Sequence, residues 1–169
     1  MSLEIKIEQL KSRTVLEINT ETSMLKIPKA LGENFAKINA HIKATGEQAE
    51  GAPYARYLGI DWAAMRNRGV FAQIWMLITY KQKMRVGMPT TASAGDGEIK
   101  ANQIDAGSYI TAIHRGPYHK VDQTYKKIVQ WAEEQNVNMA DFTIENYMND
   151  PTEVASEDIE TLIMIPVQR

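Results

Sequence analysis

The stretch Ser108-Tyr109-Ile110-Thr111-Ala112-Ile113-His114-Arg115-Gly116-Pro117-Tyr118 reads as a strand, Ser108 to His114, that breaks at Gly116-Pro117 into the start of a helix. Proline suits such a start, because the first N–H groups of a helix have no partner inside it. Beyond Pro117 the apolar residues Val121, Tyr125, Ile128, Val129 and Ala132 recur at helical spacing. A tyrosine-bearing strand follows from Phe142 to Asn149, and an apolar strand from Thr161 to Pro166 closes the run. The unit is strand, helix, strand, strand.

The first half carries the same order. Arg13 to Asn19 reads as a strand, and Pro28 opens a helix with Leu31, Phe35, Ile38 and Ile42 on its apolar face. Strands at Pro53 to Ile60 and Met84 to Pro89 complete the copy, and Ala55-Arg56-Tyr57-Leu58 lines up with Glu145-Asn146-Tyr147-Met148. Leading strands near Glu4 to Leu10 and Glu98 to Gln103 finish the sheets. Ser93-Ala94-Gly95-Asp96-Gly97 marks the junction of the halves as a hinge loop. One such unit cannot cover its own sheet face, whereas two related by a pseudo-twofold can share a core and leave a groove along the axis. The expected fold is α+β, with duplicated strand-helix-strand-strand modules and antiparallel sheets around a central ligand cleft. It forms one domain over residues 1–169, with pseudo-repeats at about 1–92 and 97–169. Trp62 to Tyr80 has no counterpart in the second half and reads as a short helix running into a strand. A lid over the groove, extra core and a dimer surface all remain open for it.

Composition narrows the function. A chain of 169 residues with 44% hydrophobic content can bury a core without covalent staples. The absence of cysteine excludes disulfides and thiolate chemistry, and three scattered histidines give no metal-ligand pattern, so neither metal nor cofactor is expected. A formal charge of −2 offers no basic excess for a phosphate backbone, which argues against direct nucleic-acid binding. No apolar run approaches the roughly 20 residues of a membrane helix, and the N-terminus lacks a secretory pattern, so no membrane association and a cytoplasmic location are expected.

Glu145 is the leading candidate for a site. It lies in a strand among apolar and aromatic residues, where an unpaired carboxylate is costly to bury unless a charged or proton-bearing ligand meets it. Alternation along the strand sends Glu145 and Tyr147 to one face, with Ile144, Asn146 and Met148 on the other. Tyr57 holds the equivalent place in the first half, so a pseudo-twofold brings it toward the same cleft, and Tyr118 follows the strand-helix break within reach. Trp62 and Trp75 are open between pocket wall and core. The plain alternative for Glu145 is an edge position salt-bridged to a lysine. For His114 it is a structural hydrogen bond, and Tyr109, Tyr125 and Trp131 read as packing residues.

The run from Gly107-Ser108-Tyr109 through His114-Arg115-Gly116-Pro117-Tyr118, then Trp131, Ile144-Glu145-Asn146-Tyr147-Met148-Asn149-Asp150-Pro151, and Glu160-Thr161 to Ile165-Pro166-Val167, resembles the GyrI-like effector-binding superfamily. These are ligand-binding domains of AraC-type and MerR-type multidrug regulators, also found free-standing. The resemblance covers about 60 residues of the second half. In the first half it rests on Ile27-Pro28 with its helix and on Tyr54-Ala55-Arg56-Tyr57. It implies two modules around a ligand cleft, with Glu145 as a pocket-floor carboxylate that contacts cationic or amphipathic ligands between aromatic walls.

The expected function is therefore a free-standing small-molecule binding protein, a sensor or sequestering module for a cationic, aromatic ligand. Glu145, Tyr147, Tyr57, Tyr118, Trp62 and Trp75 are its ligand-binding residues. A second copy or a regulator protein is the expected macromolecular partner. Two other readings stay open. The resemblance extends to members that hydrolyse electrophilic small molecules, in which case Glu145 is the general base and Tyr57, Tyr118 or Tyr147 the assisting acid. It extends also to a protein inhibitor of a DNA enzyme, for which a charge of −2 provides little mimicry of DNA. No residue reads as an independent catalytic nucleophile.

Overall fold

Both modules are present, and among the described residues they merge into one curled, antiparallel, nine-stranded sheet that forms a half-barrel. The computed structural model describes residues 3–67, 80–92 and 94–168. In chain order the elements are β1 (Ile5–Leu10), β2 (Arg13–Ser23), α1 (Ile27–Thr45), β3 (Tyr54–Leu58), α2 (Trp62–Asn67) and β4 (Lys81–Pro89). The second half adds β5 (Ile99–Ile104), β6 (Gly107–Arg115), α3 (Val121–Glu134), β7 (Asn138–Met139), β8 (Phe142–Tyr147) and β9 (Glu160–Gln168). The sheet order is β1-β6-β9-β8-β3-β4-β2-β5, with β7 added beside β9.

Register makes the duplication quantitative. Val15 of β2 faces Pro89 of β4, as Tyr109 of β6 faces Pro166 of β9. Ala55 of β3 faces Val86, as Glu145 of β8 faces Ile163. Ala55 and Glu145 therefore hold the same place in their modules, and they also pair with each other across β3 and β8. The pseudo-twofold passes between them. The leading strands are exchanged: β1 pairs with β6 of the second half, and β5 pairs with β2 of the first.

Each helix covers the two outer strands of its own module. Ile38 and Ile42 of α1 pack on Leu16, Ile18 and Met88, while Tyr125, Ile128 and Ala132 of α3 pack on Ile110, Ala112, Ile163 and Ile165. The two helices thus leave the central pair β3 and β8 between them. Gly46 ends α1 in the left-handed region at φ 73°, where its N–H caps the carbonyl of Ile42 and a side chain would be strained. Equivalent polar pins tie helix to strand in each half. Asn34 donates to Thr20 Oγ1 at 2.7 Å, and His114 Nδ1 lies 2.8 Å from Thr124 Oγ1. His114 thus makes the structural hydrogen bond expected of it. A separate core of Val15, Tyr54, Ile104, Tyr109, Ile144 and Met164 fills the opposite face, which is helix-free among the described residues.

Several boundaries differ from the sequence expectation, with β2 running on to Ser23, β4 starting at Lys81 and β8 ending at Tyr147. A 3-10 turn, Tyr118–Lys120, follows Pro117 and delays the regular helix to Val121. Of the Trp62 to Tyr80 segment, Trp62–Asn67 is helical, and the expected strand portion lies outside the described residues. No helix among the described residues is long and apolar enough to cross a membrane.

Candidate ligand site on the pseudo-twofold

Strand alternation places Glu145, Tyr147, Ala55 and Tyr57 on the helix-bearing face of the central pair, and Ile144 in the core behind it. Glu145 is 8% exposed, which removes the edge salt bridge from consideration. Its two oxygens take hydroxyl donors. Tyr125 of α3 donates to Oε1 at 2.7 Å, and Tyr147 donates to Oε2 at 3.4 Å. Tyr57 and Tyr147, one from each module, meet near the axis with hydroxyls 3.0 Å apart. Either hydroxyl can donate in that pair. A chain of hydroxyls therefore runs from Tyr57 through Tyr147 to Glu145.

Aromatic rings pack against the two tyrosines that hold this carboxyl. Phe35 of α1 meets Tyr147 edge to face at 6.0 Å, and Tyr118 meets it from the other module's 3-10 turn at 5.7 Å. Trp62 stands against Tyr125 at 5.9 Å, its Nε1 held by the Ala140 carbonyl at 2.7 Å. It backs the donor to Glu145 without bonding to the carboxylate.

Burial dominates the electrostatics. It pushes the Glu145 carboxyl from its ordinary 4.5 up to about 7, against the opposing pull of the Tyr125 and Tyr147 hydroxyls. Tyr57, Tyr125 and Tyr147 are all raised, chiefly by burial and also by the neighbouring carboxylate, so their hydroxyls stay protonated at neutral pH. Among the described residues no lysine, arginine or histidine pairs with Glu145.

Glu17 shows what a satisfied buried carboxylate looks like in this fold. It lies on the helix-free face at 2% exposure. Tyr54 and Asn102 donate to it at 2.7 Å each, and Arg56 and Arg85 stand 3.1 and 3.6 Å away. Two guanidiniums cover its charge; among the described residues Glu145 has hydroxyls alone.

Of the residues expected at the site, Glu145, Tyr147, Tyr57 and Tyr118 come together, and Trp62 stands one ring behind. Trp75 lies outside the described residues. Tyr125 and Phe35 were missed, because each sits in the apolar stripe of its helix and reads as core. Comparing the copies would have drawn attention to one of them, since Tyr125 occupies the place of Phe35 and Glu145 that of Ala55. Hydroxyl and carboxylate appear together in one module and are absent together from the other.

Residues 3–168 match the family described as the GyrI-like small molecule binding domain. The chain belongs to this GyrI-like family. Its fold is shared by the EcmrR C-terminal domain at 18% identity and a TM-score of 0.66, covering 100% of this chain and 99% of that one. EcmrR in its DNA complex superposes with a TM-score of 0.74 at 16% identity over 99% of this chain, which spans only 58% of EcmrR. SAV2435 bound to tetraphenylphosphonium is similar at 14% identity and a TM-score of 0.64, over 98% of this GyrI-like chain and 94% of its own. A hydrolase from Listeria innocua is similar at 10% identity and a TM-score of 0.62, over 98% and 92%. Comparison with curated protein sequences returns no match.

Proposed function

We propose that this GyrI-like protein binds hydrophobic cations at Glu145, as a sensor or sequestering module. One observation carries the reading: a buried carboxyl, set among Tyr57, Tyr118, Tyr125 and Tyr147, is held by neutral hydroxyls and, among the described residues, by no cation. A cation reaching Glu145 completes the charge pair that Glu17 already has, and the tyrosine faces add about 0.5 to 2 kcal/mol per good cation–π contact. The tetraphenylphosphonium held by the structurally similar SAV2435 supports this ligand class. Thermal shift with tetraphenylphosphonium and with tetraphenylborate, similar in size and opposite in charge, tests it. The cation is expected to raise the Tm of the wild type and the anion to leave it unchanged, with the preference lost in Glu145→Gln. Equal shifts for both ions would remove the basis for the proposal.

A second reading is favoured by one feature. A carboxyl pushed up to about 7 beside a hydroxyl chain is poised as a general base for water, and a Listeria innocua hydrolase shares the fold. Mass spectrometry of a small epoxide incubated with protein decides it: turnover lost in Glu145→Gln would move the assignment from receptor to hydrolase, and unchanged substrate would end that reading.

A further inference from the structure

On the helix-free face, a cavity of about 300 Å³ opens beside β1, floored by Leu10, Leu162 and Met164. Its polar rim is Arg13, Lys11, Glu8 and Thr111. Arg13 is the anomaly on this face. Arg56 and Arg85 are paired with Glu17, and Arg115 with Glu160. Among the described residues, the Arg13 guanidinium has only the Met164 thioether, with Sδ 3.7 Å from Nη2. A thioether is a weak acceptor, and a guanidinium offers a rigid fork of donors matched to a carboxylate. Glu8 does not meet that need, since its own carboxylate is held by Lys6 at 3.0 Å and by the Thr111 hydroxyl at 2.7 Å. With Lys11 and Arg13 set against Glu8, the lining carries one more positive charge than negative ones, and Lys6 already pairs with Glu8.

We propose that this cavity is a second ligand site, taking a small amphipathic carboxylate whose head docks on Arg13 and Lys11 and whose apolar stem lies over Leu10, Leu162 and Met164. The volume is at the low end of the range for small-molecule pockets and suits a short aliphatic acid. The site lies on the opposite face of the sheet from Glu145 and selects the opposite charge. It stands independently of the cation proposal.

Octanoate is the probe, with octylammonium of the same length as control. In protein labelled at the methionine methyls, octanoate is expected to shift the Met164 resonance, identified by Met164→Leu, while octylammonium leaves it in place. Affinity for octanoate should fall about tenfold or more in Arg13→Gln, the loss expected for one charge-assisted contact. Arg13→Lys, which keeps the charge but not the fork, falls between the two. Leu162→Phe, which fills the cavity without touching any charge, should also abolish the shift, and Glu145→Gln should bind octanoate as the wild type does. An unmoved Met164 methyl, equal affinity for octylammonium, or octanoate binding that depends on Glu145 and not on Arg13 would overturn the proposal.

Discussion

Glu145 and Glu17 are the same residue in opposite circumstances, and the difference sets measurable behaviour. Glu17 is neutralised by arginines and fixed. Glu145 is desolvated, with a folded pKa of about 7 against an ordinary 4.5. The folded protein therefore holds more protons at this position than the unfolded chain between those pH values. Stability is fully present below pH 4.5 and is lost as pH rises through 7, by roughly 3 kcal/mol from this group. Denaturant titrations from pH 4 to 8 are expected to show that fall in the wild type, and a flatter profile in Glu145→Gln. If only the ionised form pairs with a cation, affinity for tetraphenylphosphonium weakens about tenfold between pH 8 and pH 6, which calorimetry at the two pH values measures. Tyr125→Phe removes the 2.7 Å donor to Oε1. The carboxyl is then less well held when charged, and the pH midpoint of cation binding moves upward by about one unit.

At the scale of elements, α1 and α3 were legible because their apolar stripes are long and regular, and a proline stands at or just ahead of the start of each. The roles of residues within a stripe were not. Tyr125 follows the same periodicity as Ile128, yet its hydroxyl reaches a carboxylate on another element, a fact that spacing along one helix cannot reveal. Strand β4 holds a comparable hidden detail. Gly87 faces both Glu17 and Tyr54 in the sheet, and the Tyr54 ring crosses over it to donate to Glu17. A Cβ at Gly87 would lie 2.5 Å from Tyr54 Cζ and Oη. Gly87→Val is thus expected to displace the ring and leave Glu17 short of one donor. The loss is roughly 2 to 4 kcal/mol in denaturant unfolding, with the hydrogen bonds at Glu145 on the other face unaffected.

For the whole molecule, exchange of the leading strands has the largest consequence. The first half begins with β1, but β1 pairs with β6 of the second half, and β5 returns the exchange to β2. Neither module then completes its part of the sheet alone. Deleting residues 1–11 is expected to expose the β6 edge and to destabilise the second half first, seen as lost amide protection at Tyr109 to Ala112 before any loss in β2. For the intact chain, far-UV circular dichroism and tryptophan fluorescence should report one coincident unfolding transition; separate midpoints would show that the halves unfold apart.

Sequence alone determined the α+β class, the repeated module and the alignment of Ala55 with Glu145, because periodicity and proline positions are local properties written into neighbouring residues. It also singled out Glu145, since a carboxylate in an apolar strand is costly wherever that strand packs. Tertiary structure decided which strands meet, that the modules share one sheet, and that Tyr125 and Tyr147 hold the carboxyl while Arg13 is left facing a thioether. Those outcomes depend on contacts between residues far apart in the chain, where hydrogen-bond register and side-chain reach, not residue type, select the partner.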